Sequence, residues 1–143
     1  MKKLTVVLLV LAVICTSVFA QAAAEATTGT TVEGYDAALV AAAQAEGELV
    51  VYGSCEEEYL AAACEHFQEL FGIKTTYQRL STGEVQAKIE EENGNPSADV
   101  WFGGTTDPYN VVAAEGLLER YDAVNAKHIA KPVYKHADNL WYG

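Results

Sequence analysis

Three short runs of glycine and hydroxyl residues carry the chemistry open to this chain: Gly53-Ser54-Cys55, Ser81-Thr82-Gly83 and Gly103-Gly104-Thr105. Glycine lets backbone N–H groups approach a ligand, and serine and threonine add hydroxyls. These are the donors that an oxyanion or a phosphate accepts from. Each Ser or Thr is also of the type that caps its own helix, so for any single residue both readings stand. Glu56-Glu57-Glu58 would repel an anion at the first run unless it turns away; it could equally hold an amine or a metal ion. Its simplest role is favourable charge at a helix start. Cys55, at the same start, offers a thiol whose pKa a helix N-terminus can lower. A nucleophile also needs a nearby base, and His66, His128 and His136 form no cysteine–histidine signature with it. Glu90-Glu91-Glu92 reads as a solvated helix face, and zinc-type and P-loop spacings are absent.

The elements that must position these runs alternate. Tyr35 to Glu46 is alanine-rich and reads as a short helix closed by Gly47. Leu49-Val50-Val51-Tyr52 is a compact apolar run suited to a strand buried on both faces. Ser54 with Glu57 has capping-box spacing, and Tyr59, Leu60, Ala63, Cys64, Phe67, Leu70 and Phe71 recur on one helical face up to Gly72. Cys64 on that face reads as a buried small hydrophobe. Ile73 to Leu80 is β-rich but polar, so a less buried strand is expected. Ser81 with Glu84 repeats the capping box, and Asn93-Gly94-Asn95-Pro96 stops that helix after Glu92. Asp99 to Phe102 is the third strand, with Trp101 and Phe102 on opposite faces. Asp107 then caps a helix with Pro108 at its first position, ending near Gly116. A helix followed by three strand–helix units predicts a parallel sheet with helices on both faces and right-handed crossovers. Ligands in such sheets settle beyond the carboxyl ends of the strands, where the three runs fall.

The chain has 143 residues, enough for one domain. Lys2 and Lys3, the apolar run Val6 to Ile14 and Val18-Phe19-Ala20 predict a cleaved signal peptide over residues 1–20. A membrane anchor and lipid attachment at Cys15 are the rival readings of that run. Residues 21–33 are small and polar, a flexible lead-in. Without residues 1–20, which hold two lysines and no acid, seven basic and twenty acidic residues remain, a formal net charge of −13. Such a balance argues against nucleic acid or an anionic membrane as partner. If Cys55 and Cys64 share one helix, nine residues separate them by roughly 13 Å. A disulfide needs Cα atoms within about 7 Å, so no bridge between them is expected.

The run LVVYGS from Leu49 to Ser54, the block STGEVQAKIEEENGNPSADVWFGG from Ser81 to Gly104, and EGLLERYD from Glu115 to Asp122 resemble the N-terminal lobe of periplasmic solute-binding proteins of ABC importers. The likeness extends from Leu49 to about Pro132 and is strongest to the branch of ferric-iron, thiamine and 2-aminoethylphosphonate binders. The resemblance implies an α/β fold: residues 34–143 as an incomplete, three-layer, parallel-sheet lobe of a two-lobe, type II-like protein. It implies capture of a small solute in the periplasm and delivery to an inner-membrane permease, by a monomer without cofactor or covalent chemistry. Ligand contacts would then fall at Gly53, Ser54, Cys55, Ser81, Thr82, Gly83, Gly103, Gly104 and Thr105. Iron binders place a histidine in the first loop and a glutamate after the third strand, where this chain has Glu56 and Gly104. A phosphate- or phosphonate-bearing or thiamine-like solute is therefore favoured over ferric iron. Family members are more than twice as long, so a fragment, a truncated product or a non-functional remnant is expected. A Cys55-dependent exported thiol enzyme is the reading from another class.

Overall fold

Leu49 to Tyr52 becomes the middle strand of a parallel sheet because its side chains are apolar on both faces, so both must be covered. The computed structural model describes residues 34–143; the expected signal peptide and lead-in lie outside the described residues. The chain divides into two units between Ala41 and Ala42. The division falls inside helix α1 (Ala37–Glu46). In the first unit, Asp36 Oδ1 accepts from Leu39 N–H at 2.9 Å, which starts α1 two residues later than Tyr35.

In the second unit, Gly47 at φ +84° leads into β1 (Glu48–Gly53). Then follow α2 (Glu57–Phe71), β2 (Lys74–Arg79), α3 (Thr82–Glu92), β3 (Val100–Phe102) and α4 (Thr106–Ala114). Two short 3-10 turns, Val124–His128 and Pro132–Tyr134, come after. Leu140 to Gly143 makes a single antiparallel bridge, between Tyr142 and Lys135.

The strand order is β2-β1-β3, all parallel. Glu48 pairs with Lys74 and Gly53 with Arg79 on one side; Val51 pairs with Val100 and Gly53 with Phe102 on the other. On one face Val51 packs with Leu60 and Cys64 of α2, and with Leu49, Cys55 and Phe102 around them. On the other face Tyr52 donates its hydroxyl to Glu92 of α3 at 2.7 Å. Helices therefore cover both faces. The steps β1 to β2 and β2 to β3 run in opposite directions with helices on opposite faces, the arrangement that one crossover hand demands. Strand β2 is half-buried to exposed along its length, as its polar content predicts.

Glu92 departs from the solvated face expected of it. It accepts from Tyr52, from Ser97 N–H at 3.1 Å and pairs with Lys88 at 3.4 Å. Partial burial opposes its ionisation, but the hydrogen bonds from Tyr52 and Ser97 outweigh this and hold its carboxyl below the usual range. Asn93, at φ +45°, closes α3 in the left-handed conformation. Leu60, Val85 and Val112, one from each of α2, α3 and α4, are the most fully buried side chains. Among the described residues, no helix is long and apolar enough to cross a membrane.

Candidate functional site at the carboxyl ends of the strands

Because β1 lies between its two successors, the strand order reverses at β1/β3. A crevice opens at such a reversal, beyond the carboxyl ends. The loops after β1 and β3 lie at that edge, and the loop after β2 adjoins them. Ser54 N–H donates to Phe102 O at 2.9 Å and Leu80 N–H to Gly53 O at 2.9 Å, so all three strand ends are tied together.

The glycines set how closely the loops approach. Gly103 and Gly104 have φ of +79° and +107°, a region that L side chains rarely adopt. A Cβ on Gly103 would lie 2.9 Å from Cys55 Cβ. One on Gly104 would lie 3.1 Å from Thr82 Oγ1 and 3.3 Å from Ser54 Cβ. The three glycine–hydroxyl runs therefore meet, with Gly104 at the junction of Ser54 and Thr82.

Ser54 does not cap α2. Its backbone is still bonded to β3, so the helix opens only at Glu57, with Glu56 at the cap position and no side-chain cap bond. Ser54 Oγ accepts from Trp101 Nε1 at 3.0 Å instead. Ser81 does cap α3: its side chain accepts from Glu84 N–H at 3.3 Å, and Glu84 accepts from Ser81 N–H at 2.8 Å. The Ser81 bonds hold the Glu84 carboxyl below the usual range. Asp107 does not cap α4. Thr105 occupies that position without a side-chain bond, and Pro108 is the third helical residue, where its missing N–H still costs nothing. Glu56, Glu57 and Glu58 are exposed on the first turn of α2.

Two residues outside the sequence-derived set stand at the same edge. Arg79 ends β2, and its Nε donates to Cys55 O at 3.2 Å, which sets the guanidinium beside the first loop. The remaining guanidinium N–H groups suit a two-point grip on an oxyanion. Tyr109 of α4 stacks on Trp101 with ring centroids 4.0 Å apart and donates its hydroxyl to Gly103 O. Burial, with the Cys55 charge adding, pushes its phenol well above the ordinary tyrosine value, so it stays a donor. A signal for Arg79 was present: in so acidic a chain, a cation just before Leu80-Ser81 at a strand end is conspicuous. Nothing local marks Tyr109.

Cys55 precedes α2, so the two cysteines do not share a helix; both are free thiols. Cys64 is buried in the apolar face, and burial, with the Cys55 charge adding, raises its thiol pKa. His66 stands nine residues into α2, about 13 Å along the axis from the end that Cys55 precedes. His136 accepts from Asp138 N–H in the segment after the 3-10 turns. Among the described residues, no three His, Cys, Asp or Glu side chains group to hold a metal.

No family model matches the chain. Over 92 residues it is 42% identical to an uncharacterized protein of Haemophilus influenzae, a match covering 64% of this chain and 26% of that protein. The periplasmic binding protein AfuA from Actinobacillus pleuropneumoniae, solved with exogenous fructose-6-phosphate bound, is 39% identical at a TM-score of 0.59. The match covers 62% of this chain and 28% of AfuA. Its solved relatives are periplasmic binding proteins. A second, P5PA, is 32% identical at a TM-score of 0.58, over 62% of this chain and 28% of its own. Iron-bound HitA from Pseudomonas aeruginosa is 23% identical at a TM-score of 0.62, over 67% of this chain and 31% of its own, a likeness of fold. The chain thus spans between a quarter and a third of the length of these proteins. Its described α/β fold matches part of one lobe of these periplasmic binding proteins.

Proposed function

We propose that this lobe takes part in capturing a small phosphate- or phosphonate-bearing solute in the periplasm for delivery to an ABC permease, without catalysing a reaction. The observation that carries the reading is the meeting of Ser54, Cys55, Thr82, Gly103 and Gly104 at the β1/β3 reversal, with Arg79 beside them. Backbone and hydroxyl donors next to a guanidinium fit the oxygens of a phosphate group. The phosphorylated sugar bound by AfuA, a relative at 39% identity, supports the same ligand class. Glu56 stands where iron binders place a histidine, and Gly104 where they place a glutamate, which sets ferric iron second.

The test is ligand-dependent thermal stabilisation. At ten times its dissociation constant, a ligand of the folded state adds about 1.4 kcal/mol, several degrees in midpoint. Fructose 6-phosphate or 2-aminoethylphosphonate is expected to raise the midpoint, and Arg79→Ala to remove most of the rise. A rise with ferric citrate alone, or with no phosphate or phosphonate, contradicts the assignment.

A further inference from the structure

A serine hydroxyl carries one proton and two lone pairs, and an indole N–H can only donate. Trp101 Nε1 donates to Ser54 Oγ at 3.0 Å, which uses one lone pair and turns the hydroxyl proton elsewhere. The Ser54 N–H is already spent on Phe102 O. Trp101 in turn has little freedom: its ring stacks on Tyr109 at 4.0 Å and 25°, and the Tyr109 hydroxyl is bonded to Gly103 O. Ser54 Cβ faces Gly104, at the junction of the three loops. No residue among those described accepts the Ser54 proton.

We infer that Trp101 is a positioning residue: its indole N–H fixes Ser54 as a hydroxyl donor aimed into the β1/β3 crevice, where it favours an ionised oxyanion over a neutral hydroxyl group. This rests on reading the crevice as an oxyanion site. The selectivity follows from bonding capacity. An ionised phosphate oxygen only accepts, so a donor held in place satisfies it fully. A sugar hydroxyl must also give away its own proton, and a Ser54 oxygen already engaged by Trp101 is a poorer acceptor for it. The bond to a charged acceptor is also the stronger kind.

The experiment is a double-mutant cycle on the chain, with the dissociation constant for fructose 6-phosphate measured by NMR titration and fructose as the unphosphorylated control. Trp101→Phe keeps the ring stack and removes the N–H; Ser54→Ala removes the hydroxyl. Each is expected to weaken fructose 6-phosphate binding about tenfold, the scale of one hydrogen bond to a charged group. The double variant should be no weaker than either, and fructose should leave the loop signals unmoved in the parent. Ser54→Thr, which keeps the hydroxyl, should stay within about threefold of the parent. The chain has two tryptophans, so the Trp101 indole N–H signal is resolved against Trp141 and should shift in ligand-free Ser54→Ala. Parent binding with additive losses, or with Ser54→Ala binding normally, overturns the inference alone. No binding of phosphate by the parent overturns the oxyanion reading and the inference together.

Discussion

Gly53 has no room for a methyl group. A Cβ there would press into the Leu60 side chain, which is fully buried against Val51. Overpacking of this kind costs about 1–3 kcal/mol. Gly53→Ala should lower stability by that amount in urea unfolding, and Leu60→Val in the same chain should recover part of it. Equal losses with and without the Leu60 change would show that the close approach is not what makes glycine necessary. At this level the sequence was only partly legible. The glycine and hydroxyl runs stood out by composition, and they do converge. Ser54 was read as a helix cap, because its local spacing says nothing of Trp101, which reaches it from forty-seven positions along the chain. Tyr109 was missed for the same reason, since helix packing brings it to the edge, whereas Arg79 was missed although its charge at a strand end stood out.

The helices show how far a local motif determines structure. Ser54-x-x-Glu57 and Ser81-x-x-Glu84 have the same spacing, yet a capping box forms only at the second. Ser54 spends its N–H on β3, whereas Ser81 N–H is free to donate to Glu84. Ser81→Ala should therefore destabilise the protein by about 1 kcal/mol. The Glu84 carboxyl has its pKa depressed in the folded state, so the stability it adds is present above the ordinary value of 4.5 and is lost as pH falls through the lowered one. Glu84→Gln should flatten the stability curve in that acidic window, as followed by urea midpoints, and leave its shape above pH 6 unchanged. An identical acid limb in the variant would place the pH dependence elsewhere. Strand positions were the easiest elements to read, since apolar runs bounded by glycine and serine leave little choice. The start of α2 moved because the Ser54 N–H went to β3, and the cap position of α4 fell two residues earlier than Asp107, at Thr105.

In the sheet as a whole, parallel strands followed from alternation, but the order β2-β1-β3 did not, because pairing depends on crossover direction and not on local pattern. That order places the reversal, and with it the loops after β1 and β3, at one edge. An apolar groove of about 260 Å³ lies on the α2 face, lined by Leu49, Val51, Cys64, Phe67, Val100 and Phe102. It has almost no polar donors, so a phosphate has no reason to enter it. The decisive measurement is an amide and guanidinium NMR map of the chain titrated with fructose 6-phosphate and, separately, with fructose. Signals of Gly53 to Cys55, Arg79, Ser81 to Gly83 and Gly103 to Thr105 should move with the phosphorylated sugar and stay still with fructose. Shifts gathered around Leu49, Phe67 and Val100, or equal shifts with both sugars, would contradict an oxyanion site at the carboxyl ends of the strands.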